Sequence, residues 1–410
     1  MNGRIVCINA GSSSLKFAVY QLAGPASAPT LCWRGSASAL GGASRLQAAD
    51  IGGEPLAEII WQPKGDFAAD FAAALDWLVQ RLHAEGAPVL AVGHRIVHGG
   101  SQFAAPVRLD AATRQRLHAL VTLAPLHQPY GLRAAEILER QLPDAMPVAV
   151  FDTAFHATQP DVATRYALPR SLSDEGVRAY GFHGLACEDL TDCLTHSNEP
   201  RGRGRLVLAH LGQGASMTAM LDRRSVACSM GFSALDGLPM GRRCGRLDPG
   251  VLLYLMRQHG LDADSLEDLL YRRSGLFGVS GVSDDMRILL ASDASAAAEA
   301  VELFVYRAGR ELGSLAAALG GLDALVFSGG IGENQPRIRA AICAAASWLG
   351  AHIDAEQNTA AGDPNQSGRG AADRLRWLHT ADSAVAIGVM AVDEESVIAA
   401  HVGRLLQTGL

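Results

Sequence analysis

The hydrophobic and polar positions of this chain follow patterns typical of strands and helices along most of its length. Apolar residues dominate positions 4–8 and 15–20, and a polar turn separates them. A second unit of the same kind lies near mid-chain, where apolar segments at 206–211 and 217–221 flank a turn at 212–216. Two similar strand–turn–strand units about 200 residues apart suggest a duplicated domain, although two unrelated hairpins would give the same pattern.

Elsewhere the pattern predicts strands that alternate with helices. Short apolar segments predict strands at 89–93, 147–151 and 324–328, and helical spacing of apolar residues predicts helices at 111–121, 131–141 and 296–319. This alternation favours an α/β fold with parallel or mixed sheets. The 410 residues exceed the roughly 250–300 that one hydrophobic core supports, so we expect two domains.

Composition and charge exclude several classes of protein. With 49% hydrophobic residues and a net charge of -7, the chain is too apolar and too weakly charged to be disordered over most of its length. No apolar run approaches the roughly 18 residues of a membrane span. The mildly acidic balance gives no reason to expect nucleic acid as a partner.

The cysteines and lysines narrow the possibilities further. Seven cysteines are scattered without C-x-x-C spacing, which suits a reducing cytoplasm better than a disulfide framework or a zinc site. Of the 35 basic residues only Lys16 and Lys64 are lysines, and neither follows a glycine. A Walker A phosphate-binding loop is therefore absent.

Several turns carry residue types that bind anions. The Ser-rich turn before Lys16 and the turn at 212–214 offer backbone N–H groups that can surround a phosphate, although each can also be an ordinary turn. Arg95 and Arg243 lie near glycines, where a guanidinium can clamp a carboxylate or phosphate. Asp152 follows a predicted buried strand, and ligands gather at that edge in α/β proteins.

Histidines and acidic residues add further candidates. His127 lies between two prolines and His183 in a Gly-flanked turn, although a single histidine is more often structural. The acidic run at 393–395 can hold Mg²⁺ through water, or can equally be the first turn of the last helix. The turn at 329–332 lacks Rossmann spacing, and neither G-x-S-x-G nor H-E-x-x-H occurs. Dinucleotide-binding, hydrolase and zinc-protease functions therefore lack support.

Taken in order, eleven motifs resemble those of the acetate kinase family, part of the acetate and sugar kinase/chaperone/actin superfamily. The motifs are NAGSSSLKF at 9–17, GHRIVHGG at 93–100, APLH at 124–127, VFDTAFH at 150–156, YGFHG at 180–184, HLGQG at 210–214, SMGF at 229–232, MGRR at 240–243, residues 275–287, GIGEN at 330–334 and DEE at 393–395. Each motif alone is modest evidence. Eleven in sequence order, over essentially the whole chain, are highly specific.

The resemblance implies a duplicated two-domain actin-like (ribonuclease H-like) α/β fold with the active site in the interdomain cleft. It assigns residues 1–152 and 396–410 to an N-terminal domain on the acyl and phosphate side, and 153–395 to a C-terminal nucleotide-binding domain. It also implies a homodimer, which the cysteine pattern would place in the cytoplasm. The implied reaction is reversible in-line transfer of the ATP γ-phosphoryl group to acetate, giving acetyl phosphate and ADP, with Mg²⁺ (or Mn²⁺) required.

The matched motifs also carry the family's site residues. The implied catalytic residues are Asp152, His183, Arg243, Arg95 and His127, and the implied substrate-binding residues are Arg95, Lys16, Val97, Leu126, Phe182 and Ala234. The implied nucleotide-binding residues are His210, Leu211, Gly212, Gln213, Gly214, Asp285, Met286, Arg287, Gly330, Ile331, Gly332, Glu333 and Asn334. Asn9 and Glu394 would bind the metal ion from opposite domains.

The implied roles follow the chemistry of phosphoryl transfer. Arg95 and Arg243 would hold the carboxylate and the transferring group, and His183 would stabilise the transition state by hydrogen bonding. A carboxylate nucleophile needs no deprotonation at neutral pH, so Asp152 would orient the substrate and the arginines rather than act as a base.

The chain also departs from the family pattern. Gln128 and Gln213 replace a usual Asn, and Arg242 and Arg246 replace a usual Thr and Asp. The positions after His183-Gly184, usually Thr-Ser-His, hold Leu185, Ala186 and Cys187. Ala234 replaces a usual Pro in the acyl pocket, so we expect propionate to be used less poorly than is typical.

Three other functions remain open from the sequence. The nearest is a propionate or butyrate kinase of the same family. A different class is an ATP-dependent switch of the actin or chaperone kind, and a third is a sugar kinase. The acyl-site residues Arg95, His127 and Phe182 speak against a pure switch, which would not need them.

Overall fold

Each predicted hairpin opens a mixed β-sheet in the computed structural model, which describes residues 2–11, 14–24, 27–61, 66–361 and 374–408. The chain divides into two units: unit 1 is Met1–Ala154 with Asp393–Leu410, and unit 2 is Phe155–Val392. The units thus divide after Ala154 and Val392, where the sequence had suggested 152 and 395. Ser12 and Ser13 of the predicted Ser-rich turn, and Lys64, lie outside the described residues.

Unit 1 is built on an eight-stranded sheet. Its strands are β1 (Gly3–Ala10), β2 (Ser14–Leu22), β3 (Thr30–Ser38), β4 (Arg45–Asp50), β5 (Pro55–Ile60), β6 (Val89–Ile96), β7 (Val107–Arg108) and β8 (Met146–Phe151), in the spatial order β5-β4-β3-β2-β1-β6-β8-β7. β1 pairs antiparallel with β2 and parallel with β6, and β6 pairs parallel with β8. The carboxyl ends of β1, β6 and β8 therefore lie at one edge of the sheet.

Helices cover this sheet. They are α1 (Phe67–Glu85), α2 (Ala111–Ala119), α3 (Gln128–Gln141) and the C-terminal helix Glu394–Thr408. Val6, Ile8 and Phe17 pack in one core with residues of α1 and α3. The C-terminal helix packs on β1 and β6. Gly93 permits this approach, because a Cβ atom there would lie 2.5 Å from Cγ2 of Ile398.

Unit 2 has its own six-stranded sheet. Its strands are β9 (Arg205–Leu211), β10 (Ala215–Leu221), β11 (Arg224–Cys228), β12 (Ala324–Ser328), β13 (Leu375–Trp377) and β14 (Ala386–Met390), in the order β11-β10-β9-β12-β14-β13. β9 pairs antiparallel with β10 and parallel with β12, and β12 pairs parallel with β14. The order β11-β10-β9-β12-β14 repeats the order and directions of β3-β2-β1-β6-β8. The expected duplicated α/β fold is confirmed.

The helices of unit 2 lie between and around these strands. They are α4 (Asp161–Thr164), α5 (Arg170–Asp174), α6 (Gly184–Thr195), α7 (Pro249–His259), α8 (Ala263–Arg272), α9 (Gly275–Ser280), α10 (Met286–Ala291), α11 (Ser295–Leu319), α12 (Gly329–Asn334), α13 (Pro336–Ala345) and α14 (Ala355–Ala360). α11 packs on β9 and β10 and ends at Gly320 in the left-handed conformation, as the Gly pair predicts. Of the helices within the described ranges, none is both long enough and apolar enough to cross a membrane.

Candidate active site

In unit 1, three predicted site residues meet at the carboxyl edge of the sheet. Asn9 lies near the end of β1, Arg95 near the end of β6, and Asp152 directly after β8. The parallel pairing of these strands brings the three side chains together, although Asn9 and Asp152 are 143 positions apart in the sequence. Ligand sites in α/β sheets form at this edge.

Arg95 is held in a fixed orientation there. Its Nε donates to Oδ1 of Asp152 at 2.9 Å and its Nη2 donates to Oδ2 at 2.5 Å, so the pair is bidentate. Its Nη1 donates to Oδ1 of Asn9 at 2.9 Å. Burial by itself lowers the pKa of Arg95, but Asp152 and Glu394 raise it by more, and the net pKa is raised. Arg95 is therefore a permanent cation with its plane fixed before any substrate arrives.

Glu394 belongs to the same cluster. Asn9 Nδ2 donates to Glu394 Oε2 at 2.8 Å and lies 3.4 Å from Glu395 Oε1. The expectation that Asn9 and Glu394 approach from opposite domains is wrong, because both belong to unit 1. The physical reason is that Glu394 begins the C-terminal helix, which packs against β1 and β6.

This arrangement is chemically suited to a hard cation. Among the described residues no group of three or more His, Cys, Asp or Glu side chains could hold a metal ion. A Mg²⁺ site needs fewer protein ligands than that, since the ion usually binds one or two carboxylates and completes its coordination shell with water and substrate phosphates. Glu394 supplies a carboxylate oxygen and Asn9 an amide oxygen, provided that the Asn9 amide turns away from Arg95. The donor set therefore fits Mg²⁺.

The other predicted residues of unit 1 lie in β2, directly after β6 and directly before α3. Lys16 pairs with Asn9 across β1 and β2, and its charge lowers the pKa of Glu395, which burial raises by more. Val97 is buried just after β6, and Leu126 is partly buried. His127 occupies the N-cap position of α3.

In unit 2, His183 occupies an unusual backbone conformation. Its φ of 58° is in the left-handed region, directly before α6 begins at Gly184. A non-glycine residue in this region costs energy and is enriched at functional sites. Its Nδ1 lies 2.8 Å from Ser216 Oγ, on β10. His210 lies beside it, with ring centroids 4.6 Å apart, and its Nδ1 is 3.0 Å from Ser328 Oγ.

Gly214 brings His183 and Arg243 close to one point. A Cβ atom on Gly214 would lie 3.2 Å from His183 Nε2 and 3.8 Å from Arg243 Nη1. Arg243 Nη1 also donates to the carbonyl oxygen of Ala234 at 3.0 Å. Within unit 2 the structure therefore places the predicted imidazole and guanidinium next to each other, with Ala234 adjacent.

A buried histidine that the sequence motifs did not single out for a role supports this group. His156 Nε2 lies 2.9 Å from the carbonyl oxygen of Phe182, and its Nδ1 lies 2.9 Å from Ser225 Oγ. Gly181, at φ 76°, packs directly against the imidazole. His156 thus holds the segment that leads into His183. The VFDTAFH motif contains it, but nothing in the motif indicates this contact.

A cavity of about 630 Å³ lies next to these residues in unit 2. Eight of the thirteen predicted nucleotide-binding residues line it: Gly212, Gln213, Asp285, Met286, Arg287, Gly330, Ile331 and Asn334. Asp284 and Gln335 line it as well, and each directly adjoins a predicted residue. The cavity is large enough for a small-molecule ligand.

The other five predicted nucleotide-binding residues do not line the cavity. Leu211 is fully buried in β9, and His210 and Gly214 lie by His183. Glu333 turns inward, where its Oε1 accepts a hydrogen bond from the N–H of Gly329 at 3.0 Å. Arg339 Nη1 donates to the carbonyl oxygens of Gly332 and Glu333, each at 2.7 Å.

Both units thus carry fixed cations, and unit 2 combines them with a ligand-sized cavity. The sequence model of the acetokinase family matches residues 4–400. Across 410 residues, 100% of both chains, the chain is 47% identical to acetate kinase from Rhodopseudomonas palustris (strain TIE-1).

Two solved structures are similar over nearly their full lengths. Porphyromonas gingivalis acetate kinase is 31% identical with a TM-score of 0.80, covering 98% of this chain and 100% of that one. A propionate kinase from Francisella tularensis subsp. tularensis SCHU S4 is 32% identical with a TM-score of 0.82, covering 97% and 98%. With a family match over nearly all its residues, the chain belongs to the acetokinase family.

Proposed function

We propose that this chain is a kinase that reversibly transfers the γ-phosphoryl group of ATP to the carboxylate of acetate, forming acetyl phosphate and ADP. The observation that carries the proposal is the continuity of two features in unit 2. Gly212 and Gln213 line the large cavity, and a Cβ atom on the next residue, Gly214, would lie within 4 Å of both His183 and Arg243. A nucleotide in this cavity would have a guanidinium and an imidazole beside it.

These groups suit in-line phosphoryl transfer, in which the enzyme mainly positions the reactants and neutralises charge. When Ser216 donates its hydroxyl hydrogen to Nδ1 of His183, Nε2 carries the ring proton. That Nε2–H can donate to a phosphoryl oxygen. Arg243, in unit 2, is proposed to hold the transferring group, and Arg95, in unit 1, the carboxylate.

We also propose that Asn9 and Glu394 bind Mg²⁺. When bound, Mg²⁺ would neutralise negative charge on the phosphates. Asn9 and Glu394 would each give one oxygen to the metal ion. Arg95 contacts both residues in this structure, and it would keep its hydrogen bonds to Asp152. Glu394→Gln should raise the Mg²⁺ concentration needed for half-maximal rate, whereas an unchanged requirement would contradict this assignment.

A hydroxylamine trap for the acyl phosphate tests the proposed reaction. Wild-type protein with ATP, Mg²⁺ and acetate should give acetyl hydroxamate, and Arg243→Ala should lower kcat on the order of 10³-fold, as expected for a positioned arginine in phosphoryl transfer. Arg224→Ala, which removes an exposed arginine from β11, provides the matched control and should leave the rate unchanged.

The same assay separates the alternatives. ATP hydrolysis without hydroxamate would indicate a nucleotide-dependent switch, and phosphorylation of polyols without hydroxamate would indicate a sugar kinase. Either result would refute the proposal.

Propionate is a second candidate substrate. The small Ala234 side chain is proposed to leave room in the acyl pocket, and one methylene is worth only about 1 kcal/mol of discrimination. The similarity to a propionate kinase supports the same idea. We expect kcat/KM for propionate to lie within about tenfold of that for acetate. Ala234→Val should lower kcat/KM for propionate more than kcat/KM for acetate. A preference for acetate of several orders of magnitude would refute it.

We further propose a cytoplasmic homodimer. α7 has no buried side chain, and Leu253 and Tyr254 on it are 50% and 57% exposed. Burying such an apolar helix against a second copy would remove this surface from water. All seven cysteines are free thiols, which suits a reducing compartment. Light scattering should show a dimer that Leu253→Glu dissociates, and a monomeric wild type would refute the dimer.

A further inference from the structure

A second cavity, of about 230 Å³, lies in unit 2. Three of its lining residues, Gly237, Leu238 and Arg246, come from the segment 237–246 that also contains Arg243. The other four lining residues belong to α11: Arg307, Arg310, Glu311 and Ser314. We call this cavity the α11 pocket. It shares no lining residue with the larger cavity. Its volume is several times the roughly 30 Å³ that one water molecule occupies in the liquid.

The wall on α11 is a stripe along one side of the helix. Arg307, Arg310, Glu311 and Ser314 follow the spacing i, i+3, i+4 and i+7, which places them on one helical face. Arg307 and Arg310, three positions apart on that face, repel each other. An anion between the two guanidinium groups would offset this repulsion.

The charges of the α11 pocket do not balance. Arg246 Nη1 lies 3.4 Å from Glu311 Oε2, the one carboxylate of the lining. Arg307 is partly buried, and among the described residues its guanidinium has no hydrogen bond or ion pair. Arg310 lies over the ring of Tyr306, 5.8 Å from its centroid. Even with Asp236, whose charge also acts on Glu311, three cations face two carboxylates.

The α11 pocket also adjoins the segment that carries Arg243. Arg246 follows Arg243 by three residues, and its N–H donates to the carbonyl oxygen of Gly237 at 2.8 Å. Gly245, at φ 69°, packs against the backbone of Leu238. An anion held by Arg246 and by the arginines of α11 would therefore tie this segment to the helix.

We propose that the α11 pocket binds a small oxyanion with at least two negative charges, held by Arg246, Arg307 and Arg310. Guanidinium groups form paired hydrogen bonds with phosphate and with carboxylate groups alike. The shared chemistry is thus a compact polyanion, either a phosphate or a polycarboxylate. Glu311 would limit the affinity, since its carboxylate lies against the same cavity.

Binding of inorganic phosphate and of propane-1,2,3-tricarboxylate to the full chain, measured by titration calorimetry, tests the proposal and distinguishes the two sources. Arg307→Gln/Arg310→Gln should weaken binding at least tenfold, because two guanidinium groups that can form charge-assisted hydrogen bonds with the anion are removed. Glu311→Gln, which removes a negative charge but keeps the shape, should tighten binding. Arg224→Gln, on an exposed part of β11, should change nothing.

Each possible outcome decides the matter. Weaker binding in the double variant together with tighter binding in Glu311→Gln supports the site, and the better of the two ligands identifies its chemistry. The proposal is overturned if neither anion binds, or if the double variant binds as the wild type does. It is also overturned if Arg243→Ala alone abolishes binding, because the anion then occupies the candidate active site. None of these readouts depends on acetate phosphorylation.

Discussion

We expect His94→Leu to stabilise the protein and to make its stability less sensitive to acid. His94 lies on β6 directly before Arg95, and only 1% of its surface is exposed. Neither ring nitrogen has a hydrogen-bond partner among the described residues. The charged groups that act on it are Arg114 and Glu139, which form an ion pair with each other. Leucine is similar in size and has no polar group to satisfy.

The magnitude follows from two effects. Leaving a buried polar group without a partner costs about 1–3 kcal/mol, which His94→Leu would recover at neutral pH. Burial, and secondarily Arg114, lowers the pKa of His94 to about 3, against an opposing effect of Glu139. The unfolded chain, with an ordinary histidine pKa near 6.5, therefore takes up a proton that the folded protein refuses.

The sign of the pH dependence is then determined. Protonation of His94 in the unfolded chain costs the folded protein almost nothing above about pH 6.5, and this cost grows as the pH falls towards 3. At pH 5 roughly 1.5 pKa units separate the solution from the unfolded pKa, so the loss is about 2 kcal/mol. Wild-type protein should lose this amount between pH 7 and pH 5, and His94→Leu should not.

Native-state hydrogen exchange at amides of β1, β6 and β8 measures this difference within unit 1. Other groups with raised pKa values, such as Glu395, also make stability depend on pH. Their contributions cancel when variant and wild type are compared at each pH. His118→Gln, at a half-exposed histidine of α2, controls for the loss of a histidine as such. Equal acid sensitivity of His94→Leu and wild type would refute the reasoning.

Three further predictions concern unit 2. Arg374→Ala should lower the free energy of unfolding by about 3–5 kcal/mol in urea titrations, because it removes the bidentate partner of Asp189, 1% exposed. Gly214→Ala should lower kcat about tenfold with little change in the KM for ATP, because the new methyl group displaces His183 by a few tenths of an ångström. His156→Leu should also lower kcat, and His156→Gln should restore part of it, because an amide can again donate to the segment before His183.

Matched variants make these outcomes decisive. Arg272→Ala breaks an exposed i,i+4 pair with Asp268 and should change stability little. Gly24→Ala adds a methyl group where nothing lies within 4 Å and should leave kcat unchanged. The arguments fail if Arg374→Ala is no more destabilising than Arg272→Ala, or if Gly214→Ala and His156→Leu keep the wild-type kcat.

The elements that could be predicted from the sequence are those with strong local signals. The two hairpins have continuous apolar strands around Gly- or Ser-containing turns, and α11 has long helical periodicity that ends at a glycine pair. By contrast, β4 and β5 were not predicted, because half-buried strands rich in Ala and polar residues have weak alternation. α6 was also missed, since its start depends on the left-handed backbone of His183.

The candidate site shows the same limit. Motifs predicted most of the residues that line the large cavity, because each motif is a short turn whose neighbours are local. They did not predict the partners across strands, such as Ser216 for His183, which depend on the register of β10 against β9. Nor did they predict that Glu394 and Asn9 belong to the same unit, because the packing of the last helix on β1 is not encoded in the acidic motif.

The geometry of Arg95 bears on the role of Asp152 in the proposed reaction. Both oxygens of Asp152 accept hydrogen bonds from Arg95, and Asp152 is 1% exposed. A carboxylate so engaged is poorly placed to take a proton, and an acetate ion has none to give at neutral pH. The guanidinium has five N–H groups, and besides the two that donate to Asp152, one donates to Asn9. The remaining two lie on Nη1 and Nη2 in a plane that Asp152 fixes, so Asp152 orients the cation that is proposed to hold the substrate carboxylate.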